Sequence, residues 1–127
     1  MIKHRVSKEY SFDAAHQLVN HEGQCKNLHG HTYKVIVTVE GEVDPKQRMV
    51  VDFHDMDKVV KPMIDRLDHS HLNDIQTLHE APTAEMLATH IASYIQMELP
   101  QQLPGDVRLY SVRVYETPKC YAEVVVE

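Results

Sequence analysis

Two stretches of this chain alternate apolar and polar residues too regularly for a helix, and they decide what it can fold into. From residue 2 to 16, Ile2, Val6, Tyr10, Phe12 and Ala14 share one parity, while Lys3, Arg5, Ser7, Glu9, Ser11 and Asp13 share the other. Side chains i and i+2 of an extended backbone lie on one face, so this reads as a half-buried antiparallel strand. From 31 to 43 the pattern returns, with Tyr33, Val35, Val37 and Val39 on one face. Histidines stand at the adjoining ends of both stretches. His16 closes the first with the parity of its apolar residues, and His29 and His31 lead into the second with the parity of Tyr33.

Two imidazoles projecting together from one strand face can share a metal ion. Gly30 between them removes steric bulk and eases any bend of the backbone. Cys25 lies four residues before His29, close enough to approach the same site without being a ligand. His16 has two readings of its own: a core histidine satisfied by a hydrogen bond, or a third group facing the same interior.

The loop over 17–28 carries Gly23, and Asp44-Pro45 marks a turn after the second strand. Met56, Val59, Val60, Met63, Ile64 and Leu67 recur at three- and four-residue steps and predict a helix over 54–67. Pro62 inside it removes a backbone hydrogen bond, so a kink or a late start is expected. Asp68 and His69 follow. Thr83 is a plausible N-cap for a second helix, whose apolar stripe is Leu87, Ile91, Tyr94 and Ile95, and which is expected to end before Pro100. Glu85 falls in its first turn, where the helix macrodipole favours an acid.

A loop over 101–106 precedes a third strand over 107–116, with Tyr110, Val112 and Val114 on one face. Glu116 continues that parity. It either reaches solvent at the strand end or has a hydrogen-bond donor to satisfy it. A fourth strand is expected over 120–126. The order strand-strand-helix-helix-strand-strand predicts an α+β class, a four-stranded antiparallel sheet with two helices on one face, in a single domain over 1–127. Its two open sheet edges favour oligomerisation.

Bulk properties narrow the function. The 127 residues are 43% hydrophobic and 25% charged, as in a soluble globular protein. No apolar run approaches the ~20 residues of a membrane helix, and the N-terminus lacks the apolar region of a signal peptide, so the cytoplasm is expected. A net charge of −6 and no basic run argue against nucleic acid as the main partner. Two cysteines, Cys25 and Cys120, do not make a disulfide framework, which leaves Cys25 available for chemistry.

Five motifs in this order carry a resemblance that runs nearly end to end: Phe12-x-Ala14-Ala15-His16, Cys25-x3-His29-Gly30-His31, Leu67-Asp68-His69-x2-Leu72-Asn73, Pro82-Thr83-x-Glu85 and Tyr115-Glu116-Thr117. The chain resembles the 6-pyruvoyltetrahydropterin synthase / 6-carboxytetrahydropterin synthase family, which has the tunnelling fold. The resemblance implies Zn²⁺ held by His16, His29 and His31, the three-ligand pattern of a catalytic zinc site. It also implies that Cys25 accepts a proton, that Asp68 and His69 complete a proton relay, and that Glu116 anchors the pterin in a pocket with Thr83 and Glu85. The family substrate is 7,8-dihydroneopterin triphosphate.

The Cys-x3-His-Gly-His spacing, the Glu-Thr-Pro and the short chain look like the carboxy branch, whose reaction gives 6-carboxy-5,6,7,8-tetrahydropterin on the path to queuosine and releases acetaldehyde and triphosphate. The pyruvoyl branch is the alternative, with a non-catalytic metal-binding relative behind it. The resemblance further implies a homohexamer, a dimer of trimers, with Asp68 and His69 reaching a neighbour's zinc site. His54, His71 and Cys120 match no motif and read as structural or incidental.

Overall fold

A computed structural model describes residues 2–103 and 105–127. The two alternating stretches form β1 (His4–His16) and β2 (His29–Gly41). They pair antiparallel without interruption, so Phe12 faces Tyr33, Ala14 faces His31 and His16 faces His29. This pairing brings the three histidines to one end of one hairpin-like ladder, although a loop separates the strands in sequence.

Helix α1 (Phe53–Leu67) starts at Asp52, whose carboxylate accepts the His54 N–H. Helix α2 (Ala84–Gln102) starts at Thr83, whose hydroxyl accepts the Met86 N–H. These caps satisfy helix N-terminal donors that have no intrahelical partner. Between the helices lies β3 (Ser70–His71), and after them come β4 (Arg108–Thr117) and β5 (Cys120–Val125).

The sheet order is β3-β1-β2-β4-β5. Val59, Val60 and Met63 of α1 and Leu87, Ile91 and Ile95 of α2 join Phe12, Tyr33, Val35, Val112 and Val114 in one buried cluster. Each such side chain contributes roughly 1.5–3 kcal/mol by leaving water. A polar contact crosses the same layer: the Asp57 carboxylate on α1 accepts from Lys8 Nζ at 2.7 and 2.8 Å and from the Tyr10 hydroxyl at 2.8 Å.

The architecture is α+β with two helices, but the sheet is five-stranded and mixed rather than four-stranded and antiparallel. The extra strand, β3, pairs parallel with β1 at Ala14 and Ala15. Two residues are too short to show any alternation. Helix α1 runs continuously through Pro62, and α2 runs past Pro100 to Gln102 rather than stopping before it. Both prolines are exposed, so the carbonyl that each leaves unpaired, on Lys58 and Gln96, lies on a solvated face.

Tyr110 is the other departure. Thr38 pairs with Ser111 and Val39 with Leu109, so Tyr110 is the extra residue of a β-bulge. Leu109 takes the core position expected for it, and Tyr110 instead lies under the Arg5 guanidinium, 3.6 Å from its ring centre. The loop expected over 101–106 includes Pro104, which lies outside the described residues. Among the described residues no helix is long and apolar enough to cross a membrane.

Candidate metal centre and adjoining pocket

His16 is 1% exposed, at the inner end of β1, and its Nδ1 lies 2.8 Å from the Pro82 carbonyl oxygen. A carbonyl can only accept, so Nδ1 carries the proton and Nε2 is left with a lone pair. The same logic holds for His29, whose Nδ1 donates to the Asn27 carbonyl at 2.7 Å. The two Nε2 atoms face each other at 3.0 Å, and the Nε2 of His31 lies 3.1 Å from that of His16. Two neutral rings with both Nδ1 atoms protonated have no hydrogen to share across that gap. A cation placed among the lone pairs resolves the conflict.

All three nitrogens lie within 4.8 Å of one another. Three imidazole nitrogens, two of them on rings whose distal N–H is fixed by a backbone carbonyl, make a donor set suited to a metal ion. The residues therefore fit a metal ion. Burial is the main cause that lowers the His31 pKa, with the other two rings adding to it and Glu116 opposing it. A neutral imidazole is the form that ligates.

Small and flat neighbours make room. Ala14 stands directly opposite His31, and Tyr33 stacks on Phe12 with ring centres 5.1 Å apart. Tyr33 is fully buried, and its hydroxyl has no partner among the described residues. Burial, with Glu116 second, raises its pKa. Gly30 does not have the steric role expected of it. A Cβ there would stand 3.5 Å from the Ala14 carbonyl oxygen, an ordinary contact.

Cys25 sits in a short 3-10 turn, Gln24–Lys26, as a half-buried free thiol. It is not among the converging ligand atoms. The turn leads directly into Asn27, which fixes His29, so thiol and ligand share one short segment.

Thr83, Glu85 and Glu116 line one pocket of about 290 Å³ together with Leu18, Ala84, Cys120, Tyr121 and Ala122. The first turn of α2 forms one wall and the β4–β5 hairpin another. Thr83 both lines this pocket and caps the helix through its hydroxyl. Cys120, which matched no motif, is part of this wall.

Asp68 and His69 form a pair elsewhere. His69 Nδ1 lies 3.0 Å from Asp68 Oδ2, and Asp68 Oδ1 accepts the Asp13 N–H at 2.9 Å. These bonds, the Asp13 N–H first, hold the Asp68 carboxyl below the usual range. His69 adopts φ of 56°, a left-handed conformation that costs energy for any residue but glycine, and its N–H donates to the Asp13 carbonyl. The pair therefore grips β1 through backbone as well as side chain. It borders an open cleft with Gly30, His31 and Thr32, not the pocket of Glu116. The His69 side chain is 79% exposed. One chain thus brings the three histidines together, and separately Thr83, Glu85 and Glu116, and leaves the exposed His69 on an open cleft that it shares with His31.

Sequence reasoning missed the carbonyl groups of Asn27 and Pro82, which are main-chain atoms with no side-chain signature. It also missed Asp13, whose backbone supports the Asp68–His69 pair and whose carboxylate accepts from the Thr32 hydroxyl. The acidic residue on the polar face of β1 gave no sign of that role.

These features define a class of α+β proteins that present three imidazole nitrogens at the end of a strand pair, beside a pocket walled by a helix N-terminus and a carboxylate. The chain belongs to the 6-pyruvoyl tetrahydropterin synthase family, whose model matches residues 5–127. It is 36% identical to a 6-carboxy-5,6,7,8-tetrahydropterin synthase of Haemophilus influenzae, over 94% of this chain and 96% of that protein. It is 39% identical to a dihydroneopterin monophosphate aldolase of Pyrococcus furiosus, over 91% of each. A solved 6-pyruvoyl tetrahydropterin synthase of Caenorhabditis elegans superposes with a TM-score of 0.86 at 28% identity, covering 100% of this chain and 98% of that one.

Proposed function

We propose that the protein is a zinc-dependent lyase that converts 7,8-dihydroneopterin triphosphate to 6-carboxy-5,6,7,8-tetrahydropterin, releasing acetaldehyde and triphosphate, on the path to queuosine. The observation that carries this reading is the convergence of one ring nitrogen each from His16, His29 and His31, all within 4.8 Å of one another. The Haemophilus influenzae relative bears the name of this activity. Overall identity alone does not choose it, since the Pyrococcus furiosus aldolase is 39% identical against 36% for the Haemophilus influenzae synthase. The choice rests on Cys25, held four residues ahead of His29 in the Cys-x3-His-Gly-His run, as the base that the lyase needs.

His16, His29 and His31 would hold the zinc ion. Bound there, it would supply Lewis-acid stabilisation of negative charge on the hydroxyl oxygens of the substrate side chain. The remaining work falls to the protein. Glu116 accepts N–H bonds from the aminopyrimidine end of the pterin and sets its register, with Thr83 and Glu85 along the same wall. Cys25, as thiolate, takes a proton from a side-chain carbon. Asp68 orients the His69 ring, so that the imidazole delivers and receives protons.

The outward-facing Asp68–His69 pair supports a site completed by a second copy of the chain, within a homohexamer built as a dimer of trimers in the tunnelling fold. A free thiol at Cys25 suits the cytoplasm.

The test is to incubate the zinc-loaded protein with 7,8-dihydroneopterin triphosphate and measure acetaldehyde and triphosphate together. Both are expected in equal amounts. Triphosphate without acetaldehyde would move the protein to the pyruvoyl reaction. Neither product, with turnover of dihydroneopterin monophosphate instead, would move it to the aldolase reaction.

A further inference from the structure

We propose that Asn73 is a positioning residue for the metal centre, acting through the backbone that holds His16. Its side chain is 6% exposed and fully engaged. Asn73 Oδ1 accepts the Gln17 N–H at 2.9 Å, and Nδ2 donates to the carbonyls of Gln17 at 2.9 Å and His79 at 3.0 Å. The His79 Nδ1–H donates back to the Asn73 carbonyl at 2.9 Å.

Gln17 directly follows His16, and His79 lies three residues before Pro82, whose carbonyl fixes the His16 ring. One amide thus closes a circuit from His16 through Gln17, Asn73, His79 and Pro82 back to His16. Cut at Asn73, the circuit leaves the His16 ring as the side-chain hydrogen bond between the ligand strand and the Pro82 segment among the described residues. The geometry also explains why an amide is required. Aspartate, nearly the same shape, would aim a carboxylate at two carbonyl oxygens and supply no donor. An apolar residue would leave the Gln17 N–H and the Gln17 and His79 carbonyls, all in part-buried hydrogen bonds, without this partner.

The partners that orient a ligand beyond the metal's immediate sphere affect affinity by about 10–100-fold. Asn73 stands one bond further out than Pro82, so a loss near the low end is expected. The proposal rests on the three-histidine centre and on no particular substrate.

The experiment titrates zinc into the metal-free full chain against a chromophoric chelator. The variants are Asn73→Asp, Asn73→Ser and His79→Ala. Val59→Ala serves as a core control in α1, and His16→Ala as a ligand control. Long-range ¹H–¹⁵N spectra of the metal-free chain report the His16 tautomer. Zinc affinity is expected to fall about tenfold or more in both Asn73 variants and less in His79→Ala, to hold in Val59→Ala, and to collapse in His16→Ala. The His16 signal is expected to change from a Nδ1-protonated tautomer to a mixture in Asn73→Asp. Should Asn73→Asp fail to fold, Asn73→Ser and His79→Ala carry the same comparison.

Wild-type affinity and an unchanged His16 tautomer in the Asn73 variants would overturn the proposal, as would an equal loss in Val59→Ala. Wild-type affinity in His16→Ala would overturn the reading of the centre itself, and the proposal with it. Loss of lyase activity elsewhere in the site would touch neither.

Discussion

The Nε2 atoms of His16 and His29 face each other at 3.0 Å while both rings have given their Nδ1–H to backbone carbonyls, at Pro82 and Asn27. A cation held between those nitrogens would gain two lone pairs as ligands. Zinc at 100 times its dissociation constant should therefore raise the folding stability by about 2.7 kcal/mol, read as a rise in the thermal midpoint. His16→Ala should abolish that rise while leaving the strand pairing of β1 with β2 in place. A zinc-dependent rise that survives His16→Ala would place the ion elsewhere.

Cys25 lies outside the converging nitrogens, so its removal separates a base from a ligand. In Cys25→Ala the zinc content should stay at the wild-type level while kcat falls about 10²–10⁴-fold, the contribution of a positioned general base. Metal analysis alongside single-turnover rates checks this. Equal loss of zinc and turnover would make Cys25 a ligand.

Much of this site was legible in the sequence because strand parity is a strict code. Period two put His16, His29 and His31 on the face of Phe12 and Tyr33 before any coordinates, and the ladder honours it without a slip. The code fails where a residue leaves the period. Tyr110 is a bulge residue, and nothing in Leu109-Tyr110-Ser111 announces which of the three is extra. The two residues of β3 carry no period at all. Pro100 looked like a helix stop because propensity ignores solvation, and its exposed carbonyl partner has water. The acceptors that fix the histidine rings are main-chain oxygens, and only folding brings Pro82 to His16. Asn73 was visible as part of a motif, but its partners, Gln17 and His79, are set by tertiary structure.

Glu116 faces the pocket of Thr83 and Glu85 and acts electrostatically on both His31 and Tyr33. Glu116→Gln keeps the shape and one acceptor oxygen but loses the charge. A charge-assisted hydrogen bond to the pterin is worth about 1.5–3 kcal/mol, so substrate affinity should fall roughly 10–150-fold. Binding of a non-reacting pterin, followed by fluorescence, measures this apart from catalysis. Unchanged pterin affinity together with a lowered kcat would instead assign Glu116 to the chemistry at the metal.

Asp57 couples α1 to β1, and its pH dependence should show it. The Lys8 ammonium, and after it the Tyr10 hydroxyl, hold its carboxyl below the ordinary value. A carboxyl depressed in the folded state stabilises above its unfolded pKa, near 3.9, and loses that contribution as pH falls through the folded value. At pH 7, Asp57→Asn should cost about 1–3 kcal/mol, because it leaves Lys8 without its charged partner and Tyr10 with a weaker acceptor. The wild-type and variant urea curves should converge only below pH ~4, as the wild-type carboxyl takes up its proton. A gap that closes already between pH 7 and 5 would show that some other titrating group, such as a histidine, links the helix to the sheet.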